Sequence, residues 1–166
     1  AEVVLALDMT SADEAHRALA DEKERFRALT EQSFVGVFVL DGMRVAYANP
    51  RCAEIFGRDG SLEGLEVPAF VAEADLPRVS EAIRRLLSGE SESVREEFHG
   101  VRPDGRDLVV GAQGRRTSID GRPAVLGVLQ DITEKARADA LVDQYVSRLE
   151  RSVTGAVGAV SRMVEL

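Results

Sequence analysis

The spacing of apolar residues changes along the chain, and each change marks an element. Residues 1–10 open with the apolar run Val3-Val4-Leu5-Ala6-Leu7, which reads as a strand ending in Asp8-Met9-Thr10. Ser11-Ala12-Asp13-Glu14 then fits a capping box, in which the Ser11 hydroxyl and the Glu14 carboxylate serve free amides of the first turn. A helix is expected over residues 11–30. Its apolar positions Ala12, Ala15, Leu19, Phe26 and Leu29 form one stripe that turns bulky near the end, so the last turn is the part expected to dock.

Residues 34–48 alternate as two strands around Asp41-Gly42. Asn49-Pro50 stops the second and starts a short helix over 51–56, where proline suits the first turn. After a loop-like stretch, 57–67, a helix is expected over 76–87 with Val79, Ile83, Leu86 and Leu87 inward. Three strands follow, at 93–102, 107–117 and 122–130, joined at Asp104-Gly105 and Asp120-Gly121. Asp-Gly tolerates the positive backbone angles of tight hairpins. Two strands, short helices and three more strands imply an α+β fold with a five-stranded antiparallel sheet. Both sheet faces carry apolar residues: Val37 and Val39 alternate with Phe38 and Leu40, and Val125 and Leu129 with Leu126 and Val128. One face can pack on the short helices; the other needs a cover, from the N-terminal helix or a second subunit.

From Glu134 the period becomes seven. Val146, Val153 and Val160 hold one heptad position, and Val142, Leu149, Ala156 and Met163 the other. β-Branched residues at the first position with leucine at the second favour a parallel two-stranded coiled coil, here over residues 134–166. The expected partner is therefore a second copy of the chain. The pivot between strand and coil is Asp131-Ile132-Thr133, where Thr133 can cap the helix and Asp131 stands near its positive end.

Composition narrows the function. The balance of 21 basic and 29 acidic residues gives a net charge of -8, without the basic cluster that nucleic acid or an anionic bilayer requires. Apolar runs are far shorter than the roughly 20 residues of a membrane span. Cys52 is the sole cysteine, which excludes an intrachain disulfide and suits a cytoplasmic setting. It has no histidine at a telling spacing and reads as a buried, inert thiol. Glu96 and Glu97 are strand neighbours that point apart, so they make no acid–base pair. No catalytic or metal-binding constellation emerges, and the chain reads as a regulatory piece rather than an enzyme.

Several short runs in order carry a resemblance: Phe26-Arg27-Ala28-Leu29, Val45-Ala46-Tyr47-Ala48-Asn49-Pro50, Ile55-Phe56-Gly57, Arg102-Pro103-Asp104-Gly105 and Asp131-Ile132-Thr133-Glu134. Together they resemble a PAS domain, a sensor and relay module. The resemblance implies the PAS fold over 31–133, flanked by an N-terminal linker helix over 11–30 and the long coiled-coil helix. Asp8-Met9-Thr10 resembles the same exit motif, which implies that residues 1–10 are the last strand of a preceding PAS domain.

The family's cofactor classes can be tested position by position. Flavin photosensors of this family carry a Gly-Arg-Asn-Cys-Arg-Phe run, absent here, and polar residues at places that Gly100, Val110 and Leu129 hold. Gln130 is one residue out of register, which turns it to the other face. Haem-binding members place a histidine on the helix matching 76–87, which has none; His16 lies on the first helix and His99 faces outward. The absence of tryptophan also weighs against a redox flavin. Photoactive flavin and haem are thus disfavoured, and no cofactor is expected. What the resemblance leaves is an apolar pocket lined by Val37, Val39, Ile55, Phe56, Phe70, Ile83, Leu87, Phe98, Val110, Ala112 and Leu129, filled either by its own side chains or by a small apolar ligand.

The stretch Leu149-Glu150-Arg151-Ser152-Val153 to Met163-Val164-Glu165-Leu166 resembles the lead-in helix of HD-GYP cyclic-di-GMP phosphodiesterases. The expectation is a dimeric relay whose exit helix governs such an output domain in the same chain. The alternative is a small-ligand receptor controlling a kinase or a diguanylate cyclase.

Overall fold

The computed structural model describes residues 2–164, and side-chain surroundings for residues 12–163. Ala1, Glu165 and Leu166, the outer ends of the first and last expected segments, lie outside the described residues.

The first element is one helix, α1, Glu2–Glu31. The strand expected at Val3–Leu7 is not formed, and the helix runs through Ser11 instead of starting there. A strand needs a neighbour to bond with, and among the described residues no strand pairs with this segment; a helix satisfies its own backbone, so it extends back from residues that already form one. Among the residues of α1 whose surroundings are described, only Thr30 near its end is buried (8% exposed), whereas Leu19 and Leu29 are 56% and 72% exposed.

A hairpin follows, β1 (Gly36–Asp41) and β2 (Arg44–Ala48), with Gly42 at positive φ in the turn. Helix α2 (Pro50–Ile55) has proline in its first turn, as the sequence predicts, and Asn49 as its cap. A 3-10 turn at Val67–Ala69 leads to α3 (Leu76–Ser88), closed by Gly89 in the left-handed conformation. Strands β3 (Ser93–His99), β4 (Val109–Ile119) and β5 (Arg122–Asp131) complete the antiparallel sheet, in the order β2-β1-β5-β4-β3. The β4–β5 turn holds Asp120 and Gly121 both at positive φ, the two-residue hairpin that Asp-Gly predicts. Between β3 and β4 the connection is longer than that: Asp104-Gly105 forms its own turn, with Gly105 N–H on the Arg102 carbonyl, inside a loop closed by Gly100 N–H on the Leu108 carbonyl.

The core lies between the inner sheet face and helices α2 and α3. Leu86 and Val110 are fully buried, and Cys52, Ile55, Leu108 and Val125 nearly so. Helix α3 turns Val79, Ala82, Ile83 and Leu86 inward, the i, i+3, i+4, i+7 pattern of one face, with Leu87 at its edge.

Residues 132–166 form a second unit, distinct from residues 1–131. Its helix α4 spans Thr133–Val164. Among the described residues no helix is long and apolar enough to cross a membrane.

Candidate functional site

Register decides what faces the core. Directly paired residues of antiparallel strands share a face, and β1 pairs Phe38 with Gly127 and Leu40 with Val125, but Val37 with Val128 and Val39 with Leu126. Val125 is buried; Leu126 and Val128 are 38% and 39% exposed. Phe38 and Leu40 therefore face the core, and Val37 and Val39 lie on the opposite face. This corrects the expectation that Val37 and Val39 line a pocket. Both parities of β1 are apolar, so alternation within that strand could not choose between them.

A cavity of about 100 Å³ sits between the inner sheet face and the two helices. On the sheet side the cavity is bordered by Ala112 and Gly114 of β4, where a Cβ on Gly114 would crowd Val125 at 3.1 Å and Leu86 at 3.3 Å; on β5 a Cβ at Gly127 would run into the Phe38 ring. Of the residues predicted from sequence, Phe56, Phe70, Ile83, Phe98, Ala112 and Leu129 line the cavity. Ile55 and Val110 are buried in the core away from its wall, and Leu87 packs at the core's edge. Lining residues that sequence reasoning missed include Phe38, Leu40, Val45, Cys52, Leu62, Val67, Leu86 and Val125. For the strand residues the signal lay in their pairing partners. Leu62 and Val67 belong to an irregular segment with no period to read.

Cys52 contributes its thiol to this wall. The sulfur donates to the Val37 carbonyl at 3.4 Å, and burial pushes the thiol up to about 12, so it stays protonated.

Asn49 fastens the incoming helix to this layer. Its side chain is 1% exposed. The Oδ1 accepts from Val37 N–H at 2.9 Å and Cys52 N–H at 3.2 Å, and the Nδ2 donates to the Thr30 carbonyl at 2.6 Å and the Val35 carbonyl at 3.1 Å. One amide thus joins the end of α1, the start of β1 and the cap of α2, with all four of its hydrogen-bonding positions used. Beside it the Thr30 hydroxyl and Tyr47 hydroxyl lie 2.6 Å apart, and the Phe26 and Tyr47 rings are tilted at 5.6 Å between centroids. The last turn of α1 docks, as expected, but through Thr30 and the edge of Phe26; Leu29, the other bulky residue of the stripe, is exposed.

At the other end of α2, Arg102 donates through Nε to the Ile55 carbonyl at 3.0 Å and through Nη2 to the Asp131 carboxylate at 2.9 Å. Asp131 thereby ties the end of β5 to the C-terminus of α2. In the second unit, Ile132 supplies the carbonyl that Ala136 N–H bonds at 2.8 Å, so Thr133 takes the first helical position and not the cap. Thr133 is buried.

Along α4 the heptad residues Val142, Val146, Leu149, Val153, Val160 and Met163 are 47–76% exposed, and Ala156 is exposed too. Leu141, Tyr145 and Val157 add exposed apolar surface beside the seam. Gly155 and Gly158 interrupt no turn of the helix.

The polar candidates fall elsewhere. His16 is exposed on α1, and His99 stands on the outer side of β3, its ring nitrogen 2.8 Å from Asp75 Oδ2. The His99 backbone N–H and then its ring hold the Asp75 carboxyl below the usual carboxylate range. Glu96 turns inward to Arg78 on α3, while Glu97 points out, as strand neighbours must. Among the described residues no three His, Cys, Asp or Glu side chains converge as a metal cage. At the places of the photosensors' polar residues, Gly100 is closed over by Leu108 and Phe56, Val110 is fully buried and Leu129 faces the cavity; Gln130 lies on the exposed face.

Comparison with known proteins agrees with this architecture. The PAS domain of the HTR-like protein from Haloarcula marismortui is 27% identical and superposes with a TM-score of 0.56, covering 72% of this chain and 99% of that one. A sensory box histidine kinase/response regulator from Burkholderia thailandensis is 19% identical, with a TM-score of 0.59 over 76% of this chain and 98% of that one. An RNA-binding light-oxygen-voltage receptor gives a TM-score of 0.63 at 20% identity, over 75% of this chain and 37% of that one. The last two likenesses show the fold alone. The family model of the PAS fold matches residues 30–137, from the docked end of α1 through the first turn of α4, and by that match this chain belongs to the PAS-fold family.

Proposed function

We propose that this PAS sensor domain works as a dimeric relay, in which two copies of α4 form a parallel coil and pass a conformational change to an output domain in the same protein. The observation that carries the reading is the exposed heptad stripe of α4, since an apolar seam of that length is costly in water unless a partner covers it. Asp131, Ile132 and Thr133 are the relay joint between strand and coil. The segments divide as a linker helix that ends at residue 30, the sensor over 31–133 and the signalling helix over 134–166. The likeness of the last segment to a phosphodiesterase lead-in supports a cyclic-di-GMP phosphodiesterase as the output, in a cytoplasmic protein. Neither nucleic acid nor membrane is a partner of this region.

Single cysteines at Val146 and at Leu149, in a Cys52→Ser background, test the coil. Both are expected to crosslink in a dimer in solution. A monomeric protein that forms no crosslink would overturn the proposal.

The cavity favours a second reading, a small-ligand receptor controlling a kinase or a diguanylate cyclase. Its volume is well under the roughly 300 Å³ of sites for drug-sized ligands, so haem or flavin would have to displace core side chains to enter. Native mass spectrometry separates the readings: a bound small mass supports the receptor, and an empty protein the relay alone.

A further inference from the structure

On one side of the cavity α3 and β3 meet through side chains, with the short connection between them at one end and, just before α3, the Ala72 N–H bonded to the His99 carbonyl at 2.8 Å at the other. Val79, Ile83 and Leu86 of α3 face Val94, Glu96 and Phe98 of β3 across it. Among the described residues no backbone hydrogen bond joins α3 to β3. At one end of this seam Arg78 Nη1 pairs with Glu96, and its Nη2 donates to the Glu97 carbonyl at 2.7 Å and to Asp75 Oδ1 at 3.2 Å. Asp75 in turn accepts the His99 N–H at 2.8 Å. The Arg78 and Glu96 side chains are 48% and 26% exposed. An ion pair so wetted adds little to stability. Opening the sheet or lifting α2 would break ladder bonds or the buried Asn49 set. The seam is therefore the least costly way in.

The inside of the cavity sets what can stay there. Its wall is carbon apart from the Cys52 sulfur, already committed to the Val37 carbonyl, and Glu96, whose carboxylate is held by Arg78. A charged or strongly polar ligand group would find no partner, and burying it unpaired is costly. Acidic groups outnumber basic ones at the entrance, with Asp75, Glu96 and Glu97 set against Arg78 and the His99 ring, so anions are further disfavoured. The volume compares with engineered apolar cavities of about 150 Å³ that stay dry and take up benzene or xenon.

We propose that the cavity takes an uncharged, apolar molecule of up to about six carbon atoms, admitted through the α3–β3 seam that the Arg78–Glu96 pair closes. This rests on the receptor reading above, and it adds the chemical class of the ligand and its route.

Benzene is the probe, followed by NMR titration and line-shape exchange on the full chain, with benzoate and benzylammonium as charged comparators. Benzene is expected to bind saturably, and the charged comparators more weakly by about 100-fold or more. Glu96→Gln is expected to raise the association and dissociation rates together, by about fivefold, with little change in Kd. Arg78→Gln, which opens the same pair from the other side, should do the same. Glu66→Gln breaks the exposed Arg44–Glu66 pair at the far edge of the sheet and should leave both rates unchanged. Absence of saturable benzene binding would overturn the receptor reading and this proposal with it. Benzoate or benzylammonium binding as tightly as benzene would overturn only the ligand class. Rates unmoved by both seam variants, or moved equally by Glu66→Gln, would overturn the route.

Discussion

Arg102 and Asp131 are joined at 2.9 Å, with Arg102 only 18% exposed at its side chain and Asp131 32%. Because the same guanidinium also holds the Ile55 carbonyl, the pair closes the end of β5 onto α2. Arg102→Met should destabilise the fold by about 1–2 kcal/mol, as the loss of charge-assisted bonds predicts. Urea unfolding of Arg102→Met, Asp131→Asn and the double variant checks it: the two losses should not add.

Asn49 makes four hydrogen bonds from a side chain that is almost fully buried. Its replacement by alanine leaves the Thr30 and Val35 carbonyls and the Val37 and Cys52 amides without that partner. A loss of about 3 kcal/mol is expected, from the cap and the buried groups together. Asn49→Asp should fare no better, since a carboxylate would face two carbonyl oxygens. Chemical denaturation measures both, and hydrogen exchange at the end of α1 should rise with them.

Acid should weaken the contact between α3 and β3. Asp75 is held below its ordinary value of 3.8 by the His99 amide and ring, so its folded form is the poorer proton acceptor. Its contribution to stability is complete above that ordinary value and is lost as pH falls through the lowered one. Asp75→Asn should flatten the acid limb of the stability profile below about pH 4. Thermal melts of the two proteins across that range give the comparison.

Cys52 should resist thiol reagents in the native state. With the thiol pushed up to about 12 and the side chain 1% exposed, reaction with a disulfide reagent at pH 8 is expected to be slower than in the unfolded chain by about a thousandfold. Following the reaction with and without denaturant decides it. A native rate within about tenfold of the unfolded one would place the thiol at the surface.

The order of elements was legible because each boundary carries its own local chemistry: Asp41-Gly42 and Asp120-Gly121 for turns, Asn49-Pro50 for the end of a strand and the start of a helix, the heptad from Val142 for α4. The motif residues Asn49, Arg102 and Asp131 could also be picked out, though not what they hold, because their partners at Thr30, Ile55 and each other lie far away in sequence. The faces of β1 were not legible, because Val37 and Phe38 are equally apolar and only pairing with β5 tells them apart. Val3 to Leu7 misled for a related reason. An apolar β-branched run is compatible with either element, and the outcome depends on whether a pairing strand is at hand.

Asn49 and Arg102 have one more consequence when taken together. Helix α2 has only Pro50–Ile55 in it, too short to bend, and it is pinned at both ends: at its cap to Thr30 of the incoming helix, and at its last carbonyl, through Arg102, to Asp131. Cys52 between the pins and Phe56 just past the second press on the cavity. The helix is therefore a short beam with a load point near midspan, and whatever part of a change in the space beneath it reaches α2 is felt at the supports, where one chain segment enters the domain and another leaves it.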